Sequence, residues 1–322
     1  MISGLRRDRT VVVALGGNAL LAAGERGDIY QQFAHTRESL APIVAMAESG
    51  WRIAIVHGNG PQIGDELYRN EMARGVLPPL PLGVLVAATA GWIGYMIQQS
   101  LQNALEKRGV DRDVVTLITQ VMVDPDDEAT HAPSKPIGRV LDEQTAEELA
   151  SELGWTVRAE SNGFRRLVAS PKPRGIVEKE QIKRLIESGT IVIAAGGGGT
   201  PVYRHPVLRL EGVDAVIDKD RAAAVLGEAI GAEVLLILTN VDGVFRGFDT
   251  AEKELLRHLT VHEAKQLLDD EELGSGSMAP KVEAAISFIE SGGKKAHIAR
   301  LDQGLDALGE AAGTTITKTN EN

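Results

Sequence analysis

Cysteine is absent from all 322 residues, which excludes disulfides, thiolate metal sites and cysteine nucleophiles and is compatible with a reducing cytoplasm. Positive charge is also short. Against 45 aspartates and glutamates stand 34 lysines and arginines, a formal net charge of −11 with no basic stripe, so no nucleic-acid partner is expected. No membrane span is expected either. Residues 76–104 are uncharged, but three prolines, three glycines and Gln98-Gln99 interrupt them, short of the ~20 apolar residues a span requires. The apolar part, Leu82 to Ile97, reads as a helix buried on most sides, inside a large core or at a subunit interface. Three arginines in the first ten residues precede no apolar segment of the export-signal type, so the expected location is cytoplasmic. Several common signatures of chemistry are missing too: a Walker A loop, a Gly-x-Gly-x-x-Gly after the first strand, a His-Glu-x-x-His, and a nucleophile elbow with triad partners.

What is present is aliphatic and rich in glycine. With 43% hydrophobic residues, 4% aromatics and 35 glycines, the profile suits an α/β enzyme and not a disordered chain. The length allows one large domain or two sharing a sheet. Val11–Leu15, Arg52–Val56 and Val114–Thr119 read as strands, with an amphipathic helix over Gln31–Ser49 between the first two. That spacing implies a right-handed parallel βαβ unit. Residues 121–173 differ in texture, with polar turns at Asp124–Glu128 and Pro133–Pro136, and read as an inserted subdomain. Beyond them a helix over Glu178–Ser188 leads to a strand over Thr190–Ala195, and another strand spans Glu233–Thr239. A last helix follows Lys281 and runs through Glu290, and short strands at Ala296–Ala299 and Gly313–Ile316 complete the alternation.

The functional signal lies in the turns. After Val11–Val13 the chain continues Ala14-Leu-Gly-Gly-Asn-Ala-Leu-Leu21. Backbone N–H groups at Gly16 and Gly17, with a helix start after Asn18, suit an anion. The second strand runs into His57-Gly-Asn-Gly-Pro-Gln-Ile-Gly64, and further turns fall at 196–199, 218–220 and 275–281. Any one of these is as often a plain chain reversal as a site. Five together at one sheet edge would display several anion-binding backbones side by side.

Lys135, Lys219 and Lys281 each read as turn residues framed by Pro, Asp or Gly. One such lysine is usually a surface charge. Three suit phosphoryl transfer, where cations neutralise charge spreading over the transferred group and little covalent chemistry is asked of the protein. Asp218 and Asp220 flank Lys219, and either has three readings: holding lysines, reaching Mg²⁺, or capping a helix. Among seven histidines only His57 lies in a candidate turn, where packing or capping is as good a reading as catalysis.

In order along the chain stand ALGGNALL at 14–21, HGNGPQIG at 57–64, SKPIG at 134–138 and SPKP at 170–173. AAGGGGTPV at 194–202, AVIDKD at 215–220 and GSMAPKVEAA at 276–285 follow. The ordered set closely resembles the carbamate kinases of the amino-acid kinase superfamily over nearly the whole chain. The resemblance implies an open three-layer αβα sandwich with a central, mostly parallel eight-stranded sheet, and a homodimer. It divides the chain into an acceptor lobe at 1–190, with a small protruding subdomain at about 123–168, and a nucleotide lobe at 191–322. The implied reaction is ATP + carbamate = ADP + carbamoyl phosphate, with Mg²⁺ carried on the nucleotide and no protein-held metal. Its implied use is ATP formation in arginine or related nitrogen catabolism.

By motif match, Gly16, Gly17, Asn18, Gly58 and Asn59 would surround carbamate and the moving phosphoryl group. Lys219 and Lys281 would stabilise the phosphates, Lys135 would reach in from the subdomain, and Asp220 would orient the lysines. Thr239, Asn240, Val241, Asp242, Val244 and Met278 would lie near the nucleotide. Many superfamily relatives carry a lysine where this chain has Ala14. Carbamate kinases resemble it in that absence, with Lys135 supplying the charge, which favours carbamate over acetylglutamate or aspartate. The departures from the family pattern are Ser134, Phe164, Ala169, Glu128 and Thr130. Two alternatives are another small-acid kinase of the superfamily and a catalytically silent nucleotide-binding relative.

Overall fold

A computed structural model describes residues 9–17, 20, 27–160, 162–248, 253–273 and 278–319. The chain opens with β1 (Thr10–Leu15), α1 (Ile29–Ser39), α2 (Ala41–Glu48), β2 (Arg52–His57), α3 (Gly60–Met72) and α4 (Leu82–Lys107). The middle holds β3 (Val114–Thr116), β4 (Gln120–Val123), α5 (Glu128–His131), β5 (Lys135–Leu141), α6 (Glu143–Leu153), β6 (Thr156–Glu160), β7 (Gly163–Val168) and β8 (Pro173–Ile176). Next come α7 (Lys179–Glu187), β9 (Ile191–Ile193), β10 (Thr200–His205), β11 (Arg209–Gly212), α8 (Lys219–Ile230), β12 (Val234–Thr239), β13 (Phe245–Arg246) and β14 (Glu254–Leu255). The end is β15 (His258–Thr260), α9 (Val261–Asp269), α10 (Met278–Glu290), β16 (Lys295–Arg300), α11 (Gly304–Leu308) and β17 (Thr314–Thr317).

Eight strands form the central sheet in the order β15-β17-β16-β12-β1-β2-β9-β3. It is parallel except where β17 runs against β16. The fully buried β1 shows why its run of valines is continuous and not alternating: both of its faces are covered. Val12 and Ala14 face a core completed by α7, α8 and α10, whereas Val11, Val13 and Leu15 face one completed by α2, α4 and α11. The αβα layering implied by the sequence is therefore present.

Several expected elements differ in outline. The helix expected over Gln31–Ser49 breaks at Leu40, because Pro42 opens a second helix and cannot continue the first. The strand expected over Val114–Thr119 stops at Thr116; the chain then turns into β4, which belongs to a separate four-stranded sheet, β11-β10-β4-β8. The apolar helix from Leu82 continues to Lys107, since Leu101 and Leu105 keep its buried face going, while Val84 and Tyr95 stand exposed. Residues 121–173 do not form one unit. Their ends join the four-stranded sheet, and only the part from Lys135 to Val168 makes a sheet of its own, β5-β7-β6. That sheet lies on α3, with Gly64 and Gly138 in such close approach that a Cβ on Gly64 would overlap the Gly138 backbone.

Candidate active site

At the carboxyl edge of β1, β2 and β12, three turns meet the N-terminus of α8. The Gly16 N–H is not offered to a ligand, as the sequence suggested, but donates to the Leu238 carbonyl of β12 at 3.2 Å. The Gly58 N–H likewise donates to Leu15 O at 3.1 Å. These two bonds lock the turns to the sheet; the Gly17 N–H donates to no backbone carbonyl among the described residues. Asn18 lies outside the described residues. Gly58 is small for a visible reason: a Cβ there would come within 3.1 Å of the Lys219 stem, which crosses over it.

Asn59 stands at the start of α3, but its side chain does not cap that helix. Its carboxamide donates to Thr89 Oγ1 at 3.0 Å, and the Thr89 hydroxyl donates to Val86 O at 2.9 Å. The second bond commits the only hydroxyl proton, so Thr89 can only accept from Asn59 and the amide's orientation is set. Beside it, His57 is wholly buried with Nδ1 at 2.9 Å from Gly58 O. Burial lowers its pKa to about 4, which the backbone hydrogen bonds oppose only in part. Near neutral pH it is therefore an uncharged, buried ring.

The lysines are not turn residues. Lys219 is the first residue of α8, Lys281 lies in the first turn of α10, and Lys135 starts β5. Asp220, 2% exposed, binds two of them: Lys219 Nζ is 2.6 Å from Oδ1 and Lys281 Nζ 3.3 Å from Oδ2. Asp218 takes the third, with Lys135 Nζ 2.9 Å from Oδ2, while its Oδ1 caps α8 by accepting from the Asp220 and Arg221 N–H groups. Of the readings open for these aspartates, Asp218 thus combines capping with holding a lysine, and Asp220 holds two. Burial raises the Asp218 carboxyl, but Lys135, Lys219 and the capping bonds outweigh it and hold the group well below the usual carboxylate range. Burial, with repulsion from Lys219, pushes Lys281 below the ordinary lysine value despite Asp220 and Asp218. Three cations against two anions leave one positive charge over, at a helix N-terminus that favours anions.

The cleft above these groups measures about 750 Å³. Gly16, Gly17, Gly58 and Asn59 line it together with Lys135, Lys219, Asp220 and Lys281, and with Thr239 and Asn240. Val241, Asp242, Val244 and Met278 are not in its wall. Asp242 pairs with Arg300 at 3.1 Å. Val244 is fully buried, its N–H donating to Thr314 Oγ1 at 2.8 Å, and Met278 packs on the α8–α10 core. Wall residues that the sequence did not single out include His35 and Ser39 on α1, Arg165 on β7 and Arg300 at the end of β16. Only Arg165 left a trace in the sequence, as part of the Arg-Arg after Phe164.

Among the described residues no cluster of acids and histidines is arranged to hold a metal. Asp218 and Asp220 spend their oxygens on lysines and on the cap of α8. The donor set therefore fits a divalent ion held by a nucleotide's own phosphates.

A model of the amino acid kinase family matches residues 9–300. The chain belongs to that family, which makes it a phosphotransferase. Within the family its similarity is to carbamate kinases: it is 45% identical to the carbamate kinase of Pyrococcus horikoshii over 310 residues, 95% of this chain and 98% of that one. Among solved structures, carbamate kinase from Giardia lamblia bound to citric acid superposes with a TM-score of 0.91 at 39% identity, covering 97% of this chain and 99% of that one. The same enzyme bound to AMP-PNP superposes with a TM-score of 0.88 at 38% identity, over the same shares.

Proposed function

We propose that this protein transfers a phosphoryl group reversibly between ATP and carbamate, giving ADP and carbamoyl phosphate, and that it works as a homodimer. The observation that carries this reading is the pair of lysines on the two oxygens of Asp220, set beside two glycine turns in one cleft. A carbamate oxygen attacks the γ-phosphorus in line; the new P–O bond forms as the bond to the β-phosphate oxygen breaks, and its electron pair leaves with ADP. Carbamate is already an anion, so no proton has to move and no general base is needed. A buried neutral His57 is consistent with that. Lys219 and Lys281 neutralise the equatorial oxygens, where fixed cations act with little reorganisation. Lys135 adds charge on the acceptor side, in the role a lysine at Ala14 would otherwise fill. When bound with the nucleotide, Mg²⁺ supplies further neutralisation of the β- and γ-phosphates.

In this reading residues 1–190 form the acceptor half, with the 123–168 region over it, and residues 191–322 form the nucleotide half. Among the described residues no helix is long and apolar enough to cross a membrane, which fits the proposed cytoplasmic setting. ATP formation from carbamoyl phosphate in arginine or related nitrogen breakdown is the proposed use. The test is the back-reaction: purified protein, ADP, Mg²⁺ and carbamoyl phosphate, with ATP read by a coupled enzyme. ATP formation is the expected result. ADP binding without ATP formation would instead mark a silent relative, and turnover only with another acyl phosphate a different small-acid kinase.

A further inference from the structure

A second cavity, of about 340 Å³, lies away from the cleft between α3 and the sheet β5-β7-β6, within the size range of small-molecule sites. Trp155, 8% exposed, forms part of its wall, and the indole N–H has no hydrogen-bond partner among the described residues. The Arg166 guanidinium lies 4.0 Å from that ring's centroid, and its Nε and Nη1 are also buried without a partner among the described residues. Arg139 in the same wall is different, since it makes a two-pronged pair with Asp65 at 2.8 and 2.9 Å.

Burial lowers the Arg166 pKa to about 10, opposed by the charge of Glu71. Glu71 offers Arg166 charge but no hydrogen bond: its Oε2 is 3.5 Å from Arg74 Nε and has no hydrogen-bond partner among the described residues, and it lines with Trp155 and Arg166 a neighbouring cavity and not this one. A buried donor left without a partner is costly, and more so when it is charged. Three unmet donors therefore belong to two residues in the wall of this cavity, whose remaining wall includes Tyr68, Ile137 and Leu141. A fork of guanidinium N–H groups matches a carboxylate, and the apolar wall matches a hydrocarbon body.

We propose that this cavity is a binding site for a small monocarboxylate with a flat apolar body, its carboxylate bonded to Arg166 and Trp155 and its body against Ile137 and Leu141. The site is placed to regulate. One wall, α3, starts beside Asn59, and the other, β5, starts at Lys135, whose Nζ rests on Asp218. A ligand here braces β5 on α3 across the Gly64–Gly138 contact and so holds Lys135 in the cleft. That consequence rests on the function proposed above; the binding itself does not.

Benzoate is the probe, titrated into the full-length protein by calorimetry and by indole fluorescence, with and without saturating ADP. Saturable one-to-one binding below about 10 mM is expected for a ligand of this size, and it persists at saturating ADP. Arg166→Gln is expected to weaken it about tenfold or more, and Trp155→Phe, which keeps an aromatic face but removes the N–H donor with the pyrrole half of the indole, about fivefold. Should Arg166→Gln not fold, Trp155→Phe decides alone. No saturable binding, an affinity indifferent to the folded variants, or displacement by ADP would each overturn the proposal. Because the readout is binding and not turnover, its failure is distinct from failure of the proposed reaction.

Discussion

Asp220 divides one carboxylate between two ammonium groups, and this division separates the cost of losing an anion from the cost of losing a cation. Lys281→Ala removes a phosphate-facing charge but leaves Lys219 paired at 2.6 Å. It is expected to lower kcat on the order of 10²-fold or more with the melting temperature nearly kept. Asp220→Asn leaves two largely buried lysines without their shared anionic partner, so both kcat and the melting temperature are expected to fall. Steady-state ATP synthesis and thermal unfolding of the two variants check this; equal melting behaviour would remove the orienting role from Asp220. At this scale the sequence named the lysines and both aspartates but not their pairings. The Lys135–Asp218 contact joins residues 83 positions apart, and no local spacing reports that.

At the scale of elements, the seat of β5 on α3 depends on two glycines. Gly64→Ala would put a methyl group into the Gly138 backbone, and neither wall can yield without moving an element. The three-stranded sheet is then displaced and Lys135 with it. The expected result is a drop in kcat/KM for carbamoyl phosphate of about tenfold or more, with the central sheet intact by circular dichroism. Turnover at the wild-type level would mean that Lys135 tolerates the shift. The long parallel strands and α8 were legible because their apolar runs end in polar or glycine-rich turns. The four-stranded sheet was not. Its strands β4, β8 and β11 have four residues each, too few for a period, and their partners come from both sides of the 135–168 segment. β15 and α9 also escaped, although Thr260 and Glu263 form a capping box of the kind sequence can show. The break at Leu40 was readable from Pro42, since proline opens helices and does not sit inside them.

For the molecule as a whole, two buried histidines set the acid limit. His57 and His297 are neutral in the fold, with burial lowering each pKa to about 4 from 6.5. Between those values the unfolded chain binds protons that the native state refuses. Stability is therefore full above pH 6.5 and falls as the pH drops toward 4, by about 2 kcal/mol per histidine at pH 5. Asp218 acts lower: its depressed pKa contributes stability above the ordinary carboxylate value, lost as the pH falls through the folded one. Urea unfolding at pH 7 and pH 5 is expected to show the loss, and His297→Gln to reduce it by about half. The exposed Val84 and Tyr95 on α4 agree with an interface on that helix. Sedimentation is expected to give twice the 34.4 kDa chain mass, and a monomer would remove the proposed dimer.

A lysine at position 14 would be a fixed fixture of the cleft, present whatever the rest of the chain did. Ala14 instead leaves a methyl group in the core that also holds Ile217 and Ala222, and the third cation arrives with β5, on a sheet hydrogen-bonded separately from β1. Water competes with any acceptor for the γ-phosphate. A cleft whose last positive charge is delivered from a second sheet is electrostatically complete only when that sheet is seated. Under the reaction proposed above, a third cation carried by the second sheet and not by position 14 would make idle hydrolysis of the nucleotide depend on the seating of that sheet.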